Sequence, residues 1–281
     1  MATSEHRTRR STSATRVVRI TPDGRTEVPD RLAGEEPLEL RVHGPGEEPR
    51  ALTVTMRTPG HDFELAAGLL LAEGLVTGPD DVVRIDYCTG ADGTQAYNVV
   101  TVRLRVPLGD RLRGRNVVTT SACGVCGAAS IDDIAEFTGT VAAGPSVPAE
   151  VIAALPDVLA SAQRTFDVTG GVHAAARFDT SGTLLGVRED VGRHNALDKL
   201  VGRAFLDRAL PLTDQVLLVS GRLSFELVQK AAVAGIPIVC AVGAPSDLAV
   251  ATAARFGQTV VGFLRDGRFN VYTSPDRVEG P

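Results

Sequence analysis

Two cysteines separated by two residues, Cys123 and Cys126, are the residues of this chain best suited to chemistry. The flanking pattern predicts a loop of small residues that leads into a helix, because Ser130 and Asp133 match a helix capping box. Thiols close to a helix N-terminus feel the positive end of the helix dipole, which favours the reactive thiolate. The pattern therefore predicts reactive thiols, and Cys123, as the first of the pair, is the expected nucleophile.

Other uses of a C-x-x-C motif are open at this point. One such pair supplies two zinc ligands, and a further ligand would have to come from His173 or His194, since the sequence has no second pair. A thioredoxin-like oxidoreductase would carry the motif early in a compact domain, whereas here it lies in the middle of a long chain. A zinc-dependent deaminase needs P-C-x-x-C and an upstream glutamate motif, but Ala122 precedes the first cysteine and no H-x-E or C-x-E is present. Deaminase chemistry is therefore excluded.

A second group of polar residues lies in the segment GVREDVGRHN, which joins a predicted strand to a predicted helix. Asp190 and His194 could serve acid–base chemistry or orient a ligand. The arginines Arg188 and Arg193 could bind phosphate or carboxylate through two hydrogen bonds each. The alternative is a salt-bridged turn that caps the helix.

Loops that follow predicted strands form a third group. Ser220, Gly221 and Arg222 follow one strand and lead into a helix that opens at Ser224, and residues 243–247 do the same after the next strand. Small residues at helix N-termini suit anions such as nucleotide phosphates. Neither loop has a P-loop or a G-x-G-x-x-G sequence, so ATPase and Rossmann interpretations lack support.

A turn near the C-terminus adds two further arginines. Residues Gly262 to Arg268 read GFLRDGR, and Asp266 and Gly267 suit a tight hairpin. The arginines could clamp a guanine nucleotide group, and an ordinary exposed hairpin is the alternative.

The elements that must position these residues fall into two domains, preceded by a disordered basic tail at residues 1–15. Residues 16–115 predict an α+β domain with one helix inside the segment TPGHDFELAAGLLLAEGL, where Gly74 stands at the C-cap. Its predicted strands are Val17–Ile20, Leu38–Val42, Ala51–Met56, Val82–Tyr87 and Tyr97–Val106.

Residues 116–276 predict an α/β/α domain in which strands alternate with helices, a pattern typical of a largely parallel sheet. The predicted strands are Val117–Thr120, Val172–Phe178, Leu184–Val187, Gln215–Ser220, Ile236–Val242, Thr259–Leu264 and Arg268–Thr273. The predicted helices are Ala149–Gln163, Asn195–Ala209, Ser224–Ala234 and Asp247–Phe256.

Composition limits the classes of function. A formal charge of −5 and a 4% share of aromatic residues argue against a nucleic-acid-binding protein. No apolar run approaches the length of about 20 residues that a membrane-spanning helix needs. Four cysteines in 281 residues are typical of a reducing compartment, and we expect a cytoplasmic protein.

Six motifs together resemble the FdhD family, the sulfurtransferase accessory proteins of formate dehydrogenase. In chain order they are SACGVCG, GGVHAAARF, REDVGRHNALDK, SGRLSFELVQKAAVAGIPIV, APSDLAVATA and GFLRDGRFNVYT. The resemblance spans residues 59–273 and implies a C-terminal domain that resembles cytidine deaminase.

The resemblance also implies an activity and a set of partners. Such a protein receives sulfur from a cysteine desulfurase as a cysteine persulfide and passes it to the molybdenum (or tungsten) bis-guanine-dinucleotide cofactor of formate dehydrogenase. Cys123 would carry the persulfide and Cys126 would assist or relay it. The stretch that binds the cofactor matches residues 263–268, namely Phe263, Leu264, Arg265, Asp266, Gly267 and Arg268. The family is usually homodimeric, and the interpretation of this chain as a cofactor escort without sulfur chemistry is open.

Overall fold

The computed structural model describes residues 10–89, 95–108 and 141–280. Its helices are α1 (Asp62–Ala72), α2 (Ala149–Ala162), α3 (Arg164–Thr169), α4 (Arg193–Leu206), α5 (Phe225–Val233) and α6 (Asp247–Phe256). The strands are β1 (Thr12–Thr21), β2 (Gly24–Ala33), β3 (Glu36–His43), β4 (Arg50–Arg57), β5 (Val82–Thr89), β6 (Gln95–Leu104), β7 (Val147–Pro148), β8 (His173–Phe178), β9 (Leu184–Asp190), β10 (Val216–Val219), β11 (Ile238–Ala241), β12 (Thr259–Arg265), β13 (Arg268–Thr273) and β14 (Val278–Glu279).

The first half of the chain builds a four-stranded sheet that packs on α1. The strands lie in the order β4-β3-β6-β5, and β3 runs parallel to β6 while the other two pairs are antiparallel. Alternate residues of β3, Leu38, Leu40 and Val42, are buried against the helix, as the two-residue period of a strand requires. The predicted α+β character of this part is confirmed.

The second half builds a six-stranded sheet in the order β13-β12-β11-β10-β8-β9. Only the pairs β10–β11 and β11–β12 are parallel, and the other three pairs are antiparallel. The prediction of a largely parallel sheet is therefore wrong. The two helical crossovers account for the parallel centre, and two hairpins, β8–β9 and β12–β13, add antiparallel strands on either side of it.

Helices cover both faces of this sheet, which confirms the predicted three-layer α/β/α arrangement. On one face α2 packs Ile152, Leu155 and Leu159 against the strands, in one cluster of buried side chains. On the other face α4, α5 and α6 belong to a larger cluster that also includes α1 and the inner face of the four-stranded sheet. The two halves thus share one hydrophobic core. The resemblance to cytidine deaminase stays a prediction.

Two glycines let the helices of the two halves cross at backbone contact. Gly68 on α1 and Gly202 on α4 lie where the helices meet. A Cβ atom on Gly202 would lie 2.7 Å from the carbonyl carbon of Glu64 and 2.7 Å from the amide nitrogen of Gly68. A side chain at either position would therefore separate the two helices.

Strands β1 and β2 form a ribbon of ten paired residues, from Thr12↔Ala33 to Thr21↔Gly24. The prediction of a disordered tail over residues 1–15 is wrong for Thr12–Thr15, which belong to β1, while residues 1–9 lie outside the described part. Strand β2 and helix α3 were not predicted from the sequence. Proline and charged residues obscure the strand pattern of β2, and α3 has only six residues.

Some predictions concern residues that the structure does not describe. The domain boundary at 115/116, the strand Val117–Thr120 and the helix expected after Cys126 all fall within residues 109–140. Within the described residues, no helix is both long enough and apolar enough to cross a membrane.

Candidate functional site at the edge of the six-stranded sheet

The topology brings most of the predicted site residues to one edge of the six-stranded sheet. The parallel strands β10, β11 and β12 all end at this edge. Strand β8 is antiparallel to β10, so its first residue, His173, lies at the same edge and pairs with Asp190 at the end of β9. Helix α4 begins there too, with Gly192 as its N-cap and Arg193 as its first residue.

Backbone hydrogen bonds hold the loops of this edge against one another. The amide of Gly243 donates to the carbonyl of Gly221 at 3.0 Å, and the amide of Phe263 donates to the carbonyl of Gly243, also at 3.0 Å. The hydroxyl of Ser220 accepts a hydrogen bond of 2.9 Å from the amide of Ala174. The loops after three successive strands therefore form one continuous surface, as the strand–helix alternation predicted.

His173 lies next to the glycine loop formed by Ser220, Gly221 and Arg222, and Arg193 is near enough to act on its charge. The Nε atom of Arg193 is shielded from solvent and has no hydrogen-bond partner among the described residues. The His173 ring packs beside Gly221, since a Cβ at Gly221 would lie 3.3 Å from its Nδ1 atom. Burial of the half-exposed ring, together with the nearby charges of Arg193 and His194, lowers the pKa of His173 below its usual value of 6.5. This environment favours the neutral form of the ring.

The neighbouring His194 is bound to the start of α5. Its Nε2 atom lies 2.9 Å from a carboxylate oxygen of Glu226 and 3.3 Å from the hydroxyl of Ser224. Ser224 is the N-cap of α5, as predicted, and it also donates to Glu226 at 3.0 Å. His194 thus links the starts of α4 and α5, while Arg222, between them in the glycine loop, is exposed.

The hairpin between β12 and β13 has the tight turn that the sequence predicted. Asp266 and Gly267 both have positive φ angles, 54° and 69°, as a two-residue hairpin turn of type I′ requires. The turn places Arg265 directly opposite Arg268 across the strands. Like charges in that position destabilise a hairpin, so this pair is suited to an anion that would lie between the two guanidinium groups.

Phe263 is held in an unusual conformation beside these arginines. Its φ angle is 54°, and it lies at a register shift between Gly262 and Arg265. For a bulky residue this region of φ costs free energy, and β-bulges commonly redirect a side chain near a binding site. The ring of Phe263 is 39% exposed and lines a cavity of about 330 Å³ with the two arginines, Phe269 and Asn270.

Three of the predicted site residues do not present a side chain at this edge of the described structure. Leu264 differs from the other members of the hairpin segment, because its side chain is fully buried in the core and only its backbone is available to a ligand. Cys123 and Cys126 lie outside the described residues. Sequence reasoning considered His173 only as a zinc ligand, and its place beside Gly221 follows from the antiparallel direction of β8, which no local pattern encodes.

Asp190 has a structural role. It is completely buried, forms an ion pair of 2.6 Å with the buried Lys199, and accepts hydrogen bonds from the amides of Thr58 (3.1 Å) and Gly192 (2.8 Å) and from Asn195 (3.2 Å). These contacts confirm the interpretation of this turn as salt-bridged for Asp190. They also tie the candidate site to the segment before α1.

Arg188, the other arginine of the predicted cluster, is already paired. It donates to the carboxylate of Glu64 on α1 at 2.5 and 2.8 Å. Burial opposes the charge on Glu64, but hydrogen bonds from Arg188 and His61 outweigh it and lower the pKa of Glu64 to about 2. Arg188 therefore joins the two halves of the chain, whereas the Nε atom of Arg193 has no partner among the described residues.

Metal ligands do not gather at this edge or elsewhere in the part of the chain that the structure describes. Residues 10–89, 95–108 and 141–280 hold no group of three or more His, Cys, Asp or Glu side chains placed to bind a metal ion. The described residues of this edge are instead suited to binding an anion, through Arg193, Arg222, Arg265 and Arg268.

Comparisons with known proteins agree in one family. The model of the FdhD/NarQ family matches residues 33–279. The chain is 51% identical over 276 residues to the sulfur carrier protein FdhD of Streptomyces avermitilis, and the match covers 96% of each chain. It is 48% identical to the protein of the same name from Mycobacterium tuberculosis, over 95% of this chain and 99% of that one.

A solved structure supports the same conclusion about the fold. The crystal structure of a putative formate dehydrogenase accessory protein from Desulfotalea psychrophila superimposes with a TM-score of 0.75 at 26% sequence identity. The match covers 96% of this chain and all of the other.

Proposed function

Because this chain belongs to the FdhD/NarQ family, we propose that it is a sulfur carrier that serves the maturation of formate dehydrogenase. Cys123 accepts sulfane sulfur from a cysteine desulfurase as a persulfide and passes it to the molybdenum (or tungsten) bis-guanine-dinucleotide cofactor, which is a substrate. Cys126 assists or relays. The protein acts in the cytoplasm as a homodimer.

The loading step is a thiol–persulfide exchange. The thiolate of Cys123 attacks the outer sulfur of the donor's persulfide, an S–S bond forms on Cys123, and the donor's S–S bond breaks to release a cysteine thiolate. One sulfur atom changes its carrier and no external oxidant or reductant is consumed. The step requires Cys123 to be ionised.

One observation carries this proposal: relatives named sulfur carrier protein FdhD are about half identical to this chain over nearly its whole length. The edge of the six-stranded sheet supports the cofactor part of the proposal. Phosphate groups need hydrogen-bond donors and positive charge. Arg265 and Arg268 provide both beside the exposed ring of Phe263, and Arg193 provides both at the start of α4. Such a ring could stack on a guanine base.

Intact-mass spectrometry tests the carrier role directly. After incubation with a cysteine desulfurase and cysteine, the wild type should gain the mass of one sulfur atom, located on Cys123 by peptide mapping. Cys123→Ala should lose this adduct, and Cys240→Ala is the matched control, because Cys240 is buried in the core and its thiol is inert. Full restoration of formate dehydrogenase by Cys123→Ala would exclude sulfur transfer through this residue.

A cofactor escort without sulfur chemistry is the second candidate, and it would use the same unpaired arginine to bind the cofactor. An escort would bind guanine nucleotides and would still support formate dehydrogenase after Cys123→Ser. A carrier would bind nucleotides but fail with that variant. A dithiol oxidoreductase would instead depend equally on Cys123 and Cys126.

A further inference from the structure

We propose that His173 is a ligand-binding residue of the cofactor site, where its ring and the Arg193 guanidinium together hold one anionic oxygen of a nucleotide phosphate. The identity of the nucleotide rests on the proposed function, whereas the anion site rests on the geometry of the sheet edge.

Arg193 provides the first observation. A buried polar group without a hydrogen bond costs free energy, and such groups are rare in folded proteins. The Nε atom of Arg193 is in this state among the described residues, although the neighbouring charged groups Arg188, His194 and Lys199 all have partners there. Arg193 as a whole is only partly buried, and an anion bound to its guanidinium would supply an acceptor that the described residues do not.

His173 provides the second observation. Its side chain is half-buried and has no hydrogen bond to another described residue, while its backbone lies in the sheet at the end of β8. A neutral imidazole carries one N–H donor and one acceptor nitrogen. The ring therefore has an unused donor next to an unused guanidinium donor.

The surroundings favour an anion over a cation. Arg193 and His194 lie near His173 at the start of α4, and the charge of each lowers the pKa of the His173 ring. Asp190, on the paired strand, is the acidic neighbour of His173, and its charge is already matched by Lys199 and by several hydrogen-bond donors. Gly221 has no side chain to cover the ring, and its Cβ position would lie 3.3 Å from Nδ1. The backbone of this loop therefore packs directly against the ring, where a side chain at position 221 would crowd it.

Binding measurements with three probes test the assignment. We expect His173→Phe to weaken the binding of GDP about fivefold to tenfold, which is the effect of one lost hydrogen bond to an anion, and to leave the binding of guanosine unchanged. His173→Gln keeps an N–H donor and should retain most of the GDP affinity. The affinity for inorganic pyrophosphate should change in each variant as the affinity for GDP does. His43→Gln, a histidine on the four-stranded sheet, is the matched control and should bind all three probes like the wild type.

The pH dependence supplies a signature that a merely structural role would lack. The pKa of His173 lies below 6.5 in the ligand-free protein, and an anion beside the ring would raise it. By linkage, the GDP affinity should rise as the pH falls through the pKa of the bound state. The phosphate of GDP also gains a proton near pH 6, so the quantity to compare is the wild-type affinity divided by that of His173→Gln. This ratio should increase with falling pH.

Two results would overturn the assignment: GDP affinity unchanged in His173→Phe, or an equal loss for guanosine, which would place the ring against the base. If the wild type gained no sulfur adduct on Cys123 but His173→Phe still weakened GDP binding, the carrier proposal would be refuted and the anion site would stand. The urea midpoint of each variant verifies that it is folded.

Discussion

The backbone contact between α1 and α4 leads to a quantitative prediction for Gly202→Ala. The added methyl group would lie 2.7 Å from two backbone atoms of α1 and closer still to the carbonyl oxygen of Glu64. Distances below 3.0 Å are essentially unknown for real Cβ atoms. Backbone atoms cannot rotate away as a side chain would, so the helices must separate.

The expected cost follows from two opposing effects. Overpacking a core costs about 1–3 kcal/mol, and the contact with backbone on both sides places Gly202→Ala near 3 kcal/mol. Alanine in place of glycine within a helix recovers about 1 kcal/mol through its higher helix propensity. We therefore expect a net loss of roughly 2 kcal/mol in the free energy of unfolding. For a urea m-value of about 3 kcal/mol/M, the unfolding midpoint would fall by roughly 0.7 M.

Urea titration followed by circular dichroism measures this shift. The matched control is Gly78→Ala, because a Cβ at Gly78 would meet no atom within 4 Å and its backbone is extended. Gly68→Ala should behave like Gly202→Ala, and the double variant should cost less than the sum, since helices already separated accept the second methyl group more easily. A midpoint for Gly202→Ala equal to that of Gly78→Ala would refute the reasoning.

Three other perturbations have defined outcomes. Asp190→Asn leaves a buried lysine without its counter-charge and should cost about 3–5 kcal/mol in urea unfolding, and a cost below 1 kcal/mol would contradict the buried ion pair. The pKa of Glu64 is lowered to about 2 from 4.5, so its carboxylate stabilises the fold above pH 4.5 and loses that effect as the pH falls towards 2. Glu64→Gln should therefore reduce the dependence of the urea midpoint on pH over this range, and an unchanged dependence would count against the pairing. Arg265→Ala and Arg268→Ala should each weaken GDP binding and reduce its dependence on salt, whereas Arg19→Ala on the exposed ribbon should not, and equal effects of all three would argue against a local anion clamp.

The fold could be predicted where local signals coincide with the final contacts. The bounds of α6 were predicted residue for residue, because Ser246 caps the helix and Gly257 ends it with a positive φ angle. The sheet directions could not be predicted in the same way. The two helical crossovers fix the parallel strands, but the attachment of β8 to β10 depends on contacts between residues about 40 positions apart, such as Ala175↔Val219.

The prediction of the candidate site succeeded where local patterns place a residue, and it failed where the direction of a strand decides. Ser220, Gly221 and the hairpin arginines follow strands in sequence, so the strand–helix pattern alone places them at one edge. His173 comes before its strand, and it reaches that edge only because β8 runs antiparallel to β10. Leu264 shows the opposite error, since a motif residue was assigned to the ligand although the alternation of β12 turns its side chain into the core.

The distribution of paired charges explains why this edge is suited to binding. Three pairs of buried or largely buried charged groups are matched within the protein: Asp190 with Lys199, Glu64 with Arg188, and Asp198 with Lys230. The pair of Glu64 and Arg188 joins the two halves of the chain, and the pair of Asp190 and Lys199 helps to position the start of α4. A pair already satisfied gains little from a ligand, since binding would first have to break it. Ligand affinity must therefore come from donors that folding leaves unmatched, and at this edge these include the guanidinium groups of Arg193, Arg265 and Arg268 and the ring of His173.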